Sequence, residues 1–294
     1  MSRGTMQSII KLIRPHQWIK NGFVLIGVAF SHRWDVLTLT SAALAFLAFC
    51  LVASGVYVMN DLLDVEADRK HPTKCKRPIA SGAISVTQAR LLAAGLALVA
   101  VTLAWIGVSP MAAALIAAYW TMNLGYSLHW KHVAILDVFI IAAGFMLRIL
   151  VGTLGLHLGV SHWLILCGMM VTLFLGFAKR RAELLLIEGD ADRTLTRRVL
   201  EHYSPALLDQ CISVCAGGTI VAYSLYTMSA ETIALHHTDK LVYTVPFIVY
   251  GIFRYLYLLH GHGRGNDTAS DLLQDRHLIA TVFAWIGTTL WLIV

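Results

Sequence analysis

Long apolar segments recur along the whole chain, and shorter polar segments separate them. An α-helix needs about 20 residues to cross the hydrocarbon core of a bilayer, and most of these segments approach that length. They predict nine membrane-spanning helices at about residues 16–31, 39–59, 87–107, 110–127, 133–153, 161–179, 205–228, 241–259 and 277–294. We therefore expect an all-α membrane protein, built as one polytopic domain over residues 1–294.

Composition narrows the class of protein. Of the 294 residues, 57% are hydrophobic and only 14% are charged, and the mean hydropathy is +0.68. In an ordinary soluble domain about a quarter of the residues are charged. The composition excludes a disordered chain and argues against a soluble enzyme, so the positions of the few charged side chains become the informative feature.

The basic residues predict the orientation in the membrane. If the N-terminus is cytoplasmic, 19 of the 23 lysines and arginines fall on cytoplasmic segments, where such residues are retained. Nine spans then put the C-terminus outside a plasma (inner) membrane. The basic amphipathic stretch at residues 7–14 is expected to lie in the membrane interface. We expect lipid and small-molecule partners and no nucleic acid. Both a monomer and a homo-oligomer are compatible with the sequence.

Two predicted cytoplasmic connectors, at about residues 60–86 and 179–204, are longer than the few residues that join antiparallel helices. The first begins at Asn60, and if the second span continues as a helix, Asp61, Asp64 and Asp68 lie on one face. Carboxylates stacked in this way repel one another unless cations neutralise them. Mg²⁺ binds through one or two carboxylates and substrate phosphates, so the three aspartates are candidate metal ligands.

Basic residues follow the carboxylates on the same connector. Pro72 is expected to end the helix, after which Lys74, Lys76 and Arg77 lie on a loop that can fold back over a phosphate. The alternative is a charged, solvated helix at the membrane surface that only follows the positive-inside rule. That alternative accounts for the basic residues but leaves the aspartates unexplained.

Ionisable residues inside predicted spans are a second signal. A charge within the membrane costs about 2.5 to 3.5 kcal/mol on insertion scales and is a functional candidate. Asp137 and Arg148 lie eleven residues apart on nearly the same face of the fifth span, and Arg254 lies in the eighth. We expect Asp137 and Arg148 to face a shared polar cavity, with a structural buried ion pair as the alternative.

The connector after the sixth span opens with three cations, of which Lys179 and Arg180 come first. Lys179 and Glu183 are one turn apart and are expected to pair, which leaves Arg180 for an anionic ligand. A simple cluster at the membrane border is the alternative. The connector after the fourth span places Lys131 between aromatic residues, close to Tyr126. Together these features predict a cavity open to the cytoplasm for Mg²⁺, a substrate with several phosphates and a lipid.

Residues 60–82 also resemble a known motif. Their pattern, NDxxDxxxD followed by RPxxxG, is similar to the first aspartate-rich motif of the UbiA superfamily of intramembrane prenyltransferases. Long connectors after the second and the sixth of nine helices are similar too. The resemblance implies nine helices around a central cavity and transfer of a group activated by Mg²⁺-bound pyrophosphate, usually a polyprenyl chain onto an aromatic acceptor.

One departure from the superfamily is informative. Its second aspartate-rich motif, usual after the sixth span, is missing, and residues 179–183, KRRAE, stand in its place. With residues 14–21, 71–74, 145–148 and 250–255, this resembles the branch that transfers 5-phosphoribose from 5-phosphoribosyl-1-pyrophosphate to a polyprenyl phosphate such as decaprenyl phosphate. The product of that branch is a precursor of cell-wall arabinose. More cations and fewer carboxylates suit a donor and an acceptor that both carry phosphates.

The resemblance implies roles for the candidate residues. Asp61 and Asp64, with Asp68, are expected to bind Mg²⁺ on the pyrophosphate, and Asn60 completes the catalytic set. The residues expected to bind substrate or to line the mouth of the site are Lys20, Lys74, Arg77, Tyr126, Lys131, Asp137, Arg148, Lys179, Arg180 and Arg254. The alternatives are prenyl transfer to an aromatic acceptor, another lipid-phosphate reaction, and a transporter or scaffold without chemistry.

Overall fold

The computed structural model describes residues 3–188, 198–261 and 274–293, and within these ranges the chain forms helices, turns and loops without any β-strand. The predicted all-helical class is therefore confirmed. The chain divides into two compact units, unit 1 from Met1 to Val160 and unit 2 from Ser161 to Val294. The expectation of one polytopic domain stays a prediction.

Helices make up both units. The described α-helices of unit 1 are α1 (Arg3–Ile13), α2 (Ile26–Ala29), α3 (Val36–Leu63), α4 (Val65–Lys70), α5 (Val86–Gly107), α6 (Pro110–Leu128) and α7 (Leu136–Val151). Those of unit 2 are α8 (His162–Glu188), α9 (Pro205–Met228), α10 (Ala230–His236), α11 (Val245–Gly261) and α12 (Arg276–Ile293). Short 3-10 helices cover Pro15–Leu25, Lys74–Lys76, Trp130–His132, Leu154–Leu156, Arg198–His202 and Lys240–Thr244.

Side chains that cap N-termini explain where several helices begin. Asp35 accepts a hydrogen bond from a backbone N–H of the first turn of α3 at 3.0 Å. Ser85 and Gln88 form a capping box at the start of α5. Ser109 and Ser204 cap the N-termini of α6 and α9, and the proline that follows each serine is the first helical residue, where it removes no helical hydrogen bond. These local signals place the helix starts close to those of the predicted spans.

Seven of the described helical segments are long and apolar enough to cross a membrane. They are Val36–Leu63, Val86–Gly107, Leu136–Leu156, His162–Leu185, Pro205–Met228, Lys240–Gly261 and Arg276–Ile293. The predicted fourth span forms α6, whose second half carries Tyr119, Asn123 and other polar or aromatic side chains. The predicted first span forms a 3-10 helix of 11 residues followed by the four residues of α2. Within the described residues the count of nine spans is therefore not confirmed.

The segment from Pro15 to Ala29 packs closely against the rest of unit 1. A Cβ added at Gly152, just after α7, would lie 1.7 Å from the carbonyl oxygen of Val24. One added at Gly27 would lie 2.4 Å from the carbonyl oxygen of Gly152. Because only a residue without a Cβ permits this approach of two backbones, the glycines fix where the 3-10 helix lies on the unit.

The two predicted connectors both begin inside helices. α8 runs to Glu188, so the KRRAE sequence at residues 179–183 is helical. Residues 189–197 of that connector lie outside the described residues. The first connector, predicted at residues 60–86, begins within the last turn of α3 and contains α4. The cations at residues 179–181, which the sequence places at the start of a connector, are thus held on α8.

Candidate active site

Two aspartates and two arginines form an ionic cluster at the end of α3. Arg14 donates from Nη2 to Oδ1 of Asp61 at 2.6 Å, and Arg77 donates from Nη1 to the same oxygen at 3.0 Å. Nη1 of Arg77 also donates to Oδ2 of Asp68 at 2.7 Å. Asp61 and Asp68 are each only 3% exposed. An unpaired buried carboxylate is strongly unfavourable, and the two guanidinium groups supply the matching charge.

The helix that carries the aspartates is interrupted at Asp64. α3 ends and α4 begins on either side of this residue, which has φ −95° and ψ 6°. Hydrogen bonds from the N–H of Asp64 to the carbonyl of Asn60 and from the N–H of Asp68 to the carbonyl of Asp64 keep the helical spacing across the interruption. The predicted common face therefore holds for Asp61 and Asp68, which share one arginine. Asp64 keeps the helical backbone spacing, but its side chain pairs with a different cation.

The last turn of α6 binds Asn60, and the segment that follows it binds Asp64. Nζ of Lys131 donates to Oδ1 of Asp64 at 2.8 Å, and the hydroxyl of Ser127 donates to Oδ1 of Asn60. The side chain of Asp64 is 42% exposed, far more than the aspartates of the ionic cluster. Tyr126, next to Ser127 in the chain, is half-buried. Lys131 is thus the counter-ion of Asp64, and Ser127 holds the side chain of Asn60.

Arg14 is a site residue that the sequence prediction did not assign. It has a left-handed backbone (φ 50°, ψ 60°) directly before Pro15, at the start of the 3-10 helix. Such a conformation costs about 1 to 3 kcal/mol for a residue other than glycine. The ion pair with Asp61 and a position 5.2 Å from the ring centroid of Tyr57 offset that cost. The motif at residues 14–21 was the sequence signal, but it assigned Arg14 no partner.

Arg148 lies inside unit 1 and is 5% exposed. Nε donates to Oδ1 of Asn21 at 2.9 Å, Nη1 to the carbonyl of Gly144 at 2.8 Å and Nη2 to the hydroxyl of Tyr119 at 3.1 Å. The guanidinium carbon also lies 4.8 to 5.0 Å from the centroids of three aromatic rings. No carboxylate of the described residues pairs with it, so Asp137 and Arg148 form no ion pair. Two of its five N–H groups make no hydrogen bond to the described residues.

The 3-10 helix continues the polar contacts from the ionic cluster into unit 1. Asn21 donates to Sγ of Cys50 at 3.2 Å, and Trp18 donates its indole N–H to Ser54 at 3.0 Å. Cys50, Ser54 and Asp61 lie along one side of α3, with Cys50 about 16 Å from Asp61 along the axis. The arginine bound by Asn21 therefore lies well inside the unit, on the same side of α3 as the ionic cluster.

Three other predicted residues of unit 1 lie apart from the ionic cluster. Asp137, at the start of α7, is fully buried. Lys20 is half-buried on the 3-10 helix, and Lys74 is exposed in the first connector. Among the hydrogen bonds and ion pairs of the described residues, none joins these side chains to Asp61 or Asp68.

In unit 2, Lys179 and Arg180 both approach Glu183 on α8. Nη1 of Arg180 donates to Oε2 of Glu183 at 2.5 Å, whereas Nζ of Lys179 lies 4.0 Å from Oε1. Arg180 is also almost completely buried, at 1% exposure. Lys179 therefore lies within ion-pair distance of Glu183 as predicted, but the prediction that Arg180 is left without a carboxylate is wrong. The three-residue spacing brings the longer, buried guanidinium closer to Glu183.

Arg181, also on α8, forms an ion pair that the sequence did not predict. Its Nε donates to Oδ1 of Asp209 on α9, and Nε2 of His260 on α11 lies 3.2 Å from the same oxygen. Nη1 of Arg181 also approaches the carbonyl of Leu259 at 3.5 Å. These contacts join α8, α9 and α11, so Arg181 stabilises the packing of unit 2.

Arg254 on α11 is paired with Asp275, which directly precedes α12. Nε and Nη2 donate to Oδ1 and Oδ2 at 3.3 and 2.8 Å. Oδ1 of Asp275 also accepts the backbone N–H of Leu278 at 2.9 Å. The hydrogen bonds from Arg254 lower the pKa of Asp275 to about 2. The predicted phosphate ligand Arg254 thus has a carboxylate partner in this structure.

The carboxylates of unit 1 fit a divalent metal as a pair rather than as three. Among the described residues, no group of three or more histidine, cysteine, aspartate or glutamate side chains is arranged to hold a metal ion. Asp61 and Asp68 contact one nitrogen of Arg77, so their acceptor oxygens are close neighbours. One or two carboxylates suffice for Mg²⁺ when phosphates and water supply its other ligands. The pair fits Mg²⁺ that binds together with a phosphorylated substrate.

The fold and the site define a multi-pass helical protein with paired carboxylates and arginines at the end of a long helix. Comparison with family models identifies the class: residues 22–274 match the model of the UbiA prenyltransferase family. The match covers most of the chain, and the chain belongs to this family. The predicted family, and with it the character of a multi-pass membrane transferase, is confirmed.

Curated relatives are similar over nearly the whole chain. Decaprenyl-phosphate phosphoribosyltransferase of Corynebacterium glutamicum is 34% identical over 288 residues, which cover 95% of this chain and 84% of the relative. The protein of the same name from Mycolicibacterium smegmatis is 34% identical over 297 residues, with 97% and 92% covered. A solved structure of a UbiA homologue from Archaeoglobus fulgidus bound to GPP and Mg²⁺ has a TM-score of 0.73 at 15% identity, with 97% of this chain and 99% of that chain covered. That structure shows the shared fold.

Proposed function

We propose that the protein transfers 5-phosphoribose from 5-phosphoribosyl-1-pyrophosphate to a polyprenyl phosphate and releases pyrophosphate. The names of two relatives at 34% identity support this reaction. The basic sequence at residues 179–181, in place of a second acidic motif, supports it as well, because both substrates carry phosphates. The observation that carries the proposal is the environment of Arg148.

Arg148 is a buried cation without a carboxylate partner among the described residues. Burial of a charge is costly, and hydrogen bonds to neutral groups and contacts with aromatic rings relieve only part of that cost. The two N–H groups that bond to none of the described residues suit phosphate oxygens, which guanidinium groups bind in a forked geometry. A donor with phosphates at both ends of the ribose accounts for an anion site at Arg148 besides the one at the ionic cluster.

The proposed reaction is a substitution at C1 of the ribose. A phosphate oxygen of the lipid attacks C1, the bond from C1 to the pyrophosphate oxygen breaks, and pyrophosphate leaves with that electron pair. The attacking oxygen is already anionic, so no strong general base is needed. Asn60, Lys74 and Arg77 hold donor oxygens, and the guanidinium of Arg77 stabilises the charge that develops on the leaving group.

The other candidates bind the remaining parts of the substrates. Arg148 holds the 5-phosphate or the lipid phosphate, and the candidates of unit 2 for the same task are Lys179, Arg180 and Arg254. Lys20, Tyr126 and Lys131 line the mouth of the site, and Asp137 orients Lys131 or a ribose hydroxyl. Arg180 and Arg254 would have to exchange a carboxylate for a phosphate, which makes Arg148 the strongest candidate.

Mg²⁺ is the proposed cofactor, with Asp61 and Asp68 as ligands and Asp64 as a third ligand once Lys131 leaves it. The carboxylate pair, and the Mg²⁺ bound by the UbiA homologue of the same fold, support this choice. When bound, the metal neutralises charge on the pyrophosphate.

The test is an incubation of the purified protein in nanodiscs with Mg²⁺, ribose-labelled phosphoribosyl pyrophosphate and decaprenyl phosphate. Entry of the label into the lipid fraction supports the proposal, with Asp61→Asn as the inactive variant and Glu66→Gln, an exposed carboxylate on α4, as the matched control. A second arm supplies a polyprenyl diphosphate and hydroxybenzoate. Prenylated benzoate without labelled lipid would overturn the proposal in favour of aromatic prenyl transfer. Movement of unchanged substrate across vesicles would indicate a transporter.

We also propose nine spans in a plasma membrane, with the N-terminus and the ionic cluster cytoplasmic and the C-terminus outside. A 3-10 helix rises about 2.0 Å per residue, so Pro15–Leu25 together with α2 extends about 28 Å, close to the hydrocarbon thickness. α6, with 19 residues, reaches a similar length. A C-terminal alkaline phosphatase fusion should be active and a C-terminal green fluorescent protein fusion dark. The opposite pair of results would contradict this topology.

A further inference from the structure

Asp61 uses one oxygen for two arginines. Both Nη2 of Arg14 and Nη1 of Arg77 donate to its Oδ1, and the same Nη1 of Arg77 donates to Asp68. The four side chains carry two negative and two positive charges, so the ionic cluster is neutral. Each carboxylate gives one oxygen to the guanidinium groups, Oδ1 of Asp61 and Oδ2 of Asp68, so a divalent metal bound to this pair of carboxylates would compete with the two arginines for their charge.

A divalent metal without pyrophosphate should bind weakly to this cluster. Mg²⁺ on Asp61 and Asp68 would leave a divalent cation and two guanidinium groups against two carboxylates that are almost completely buried. Excess charge in a buried place is strongly unfavourable. Pyrophosphate alone meets the opposite obstacle, because both guanidinium groups already have carboxylate partners. Each ligand removes the obstacle for the other.

We propose that the ionic cluster exchanges its internal ion pairs for contacts with the ligands, so that metal and pyrophosphate bind cooperatively. The metal takes the carboxylates of Asp61 and Asp68, and Arg14 and Arg77 move to pyrophosphate oxygens, so every charged group keeps a partner. Arg14 and Arg77 then have two roles, as counter-ions in the free protein and as pyrophosphate ligands in the loaded one. The inference rests on the proposed function, in which pyrophosphate is the leaving group of the donor.

The two arginines are suited to this exchange by their exposure. Arg14 is 26% and Arg77 is 30% exposed on the side chain, whereas Asp61 is only 3% exposed. The cations can therefore turn toward a ligand at the surface of the cluster while the carboxylates stay in place. Arg14 directly follows α1 and has a left-handed backbone, whereas Arg77 lies on the first connector. The two arginines therefore approach Asp61 from different segments.

Exchange predicts a reciprocal coupling of the two affinities. We would measure Mn²⁺ binding to the purified protein by electron paramagnetic resonance, with and without inorganic pyrophosphate. A protein-free titration gives the share of Mn²⁺ that pyrophosphate binds in solution. In the wild type, Mn²⁺ alone should bind weakly, and pyrophosphate should tighten its binding by about tenfold or more.

The arginine variants give results of opposite sign for the two ligands. In Arg77→Gln and Arg14→Gln, Mn²⁺ alone should bind several-fold more tightly than in the wild type, pyrophosphate should bind more weakly, and the coupling should shrink. Arg69→Gln, an arginine of α4 that pairs with Glu66 outside the cluster, is the matched control and should change neither affinity. Arg14→Lys retains the charge and should retain part of the coupling.

Two results would overturn the inference. One is tight binding of Mn²⁺ to the wild type that pyrophosphate leaves unchanged. The other is a folded Arg77→Gln protein, as judged by its thermal unfolding midpoint, in which Mn²⁺ alone binds no more tightly than in the wild type. Neither experiment uses turnover. Phosphoribosyl transfer without coupling would refute the exchange alone, whereas coupling without any transfer would refute the proposed reaction alone.

Discussion

Asn21 accepts a hydrogen bond from Nε of Arg148 at 2.9 Å, across 127 residues of sequence. Asn21 is 1% exposed, and it orients the guanidinium without neutralising it. A carboxylate at the same place would do both. Because aspartate and asparagine have almost the same volume, replacing Asn21 with aspartate tests the role of the charge of Arg148 with little change in packing.

Asn21→Asp should preserve the fold but weaken phosphate binding, because the new carboxylate competes with the substrate for Arg148. Loss of one hydrogen bond to a charged group costs about 1.5 to 3 kcal/mol, which predicts a KM for donor or acceptor raised about tenfold or more. Asn21→Ala is the control that removes the acceptor without adding charge, and its effect should be smaller. Unchanged KM values in Asn21→Asp would show that Arg148 has a structural role only.

Asp61→Asn and Asp68→Asn should each lower turnover by about 100-fold or more, because a metal ligand supplies several kcal/mol of charge stabilisation. Mn²⁺ affinity, measured in the presence of pyrophosphate, should fall in the same variants. Glu66→Gln, on the same connector but exposed, should behave like the wild type in both assays. Wild-type turnover of folded Asp61→Asn would refute its assignment as a metal ligand.

Local sequence was enough to predict which residues carry the chemistry, but not which of them pair. The spacing of Asp61 and Asp68 by seven residues already brings both to one face, since that face depends on the helix alone. The ion pair of Asp64 depends on Lys131, which lies 67 residues further along and just after the end of α6, and no local pattern encodes it. The left-handed backbone of Arg14 has no sequence signal either, because the residue before a proline ordinarily favours extended conformations.

The fold shows the same division between local and distant causes. Apolar length predicted seven segments that the structure also shows as long apolar helices. It did not predict that residues 15–25 form a 3-10 helix, because hydrophobicity does not distinguish a tight helix from an α-helix. The place of this segment on unit 1 depends on close packing at Gly27 and Gly152, which are distant in the chain.

Gly152→Ala should destabilise unit 1 and loosen the site. Its Cβ would lie 1.7 Å from the carbonyl oxygen of Val24, so the 3-10 helix that carries Asn21 must move. Overpacking of this kind typically costs about 1 to 3 kcal/mol, which should lower the thermal unfolding midpoint and raise the donor KM. Gly22→Ala is the matched control on the same segment, since a Cβ there would meet no atom within 4 Å. Equal midpoints for the two variants would contradict the argument.

The ion pair of Arg254 and Asp275 should give unit 2 a defined acid sensitivity. Arg254 lowers the pKa of Asp275 from its ordinary 3.8 to about 2, so the ionised carboxylate stabilises the folded protein above pH 3.8. That stabilisation is lost as the pH falls from 3.8 through about 2, when the folded protein also takes up the proton. Asp275→Asn should therefore unfold at a lower temperature than the wild type by a gap that is constant between about pH 7 and 5 and shrinks below about pH 4. Asp239→Asn, an exposed aspartate that makes no ion pair to the described residues, should show no gap. A gap for Asp275→Asn that persists unchanged to pH 3 would show that the ion pair does not cause it.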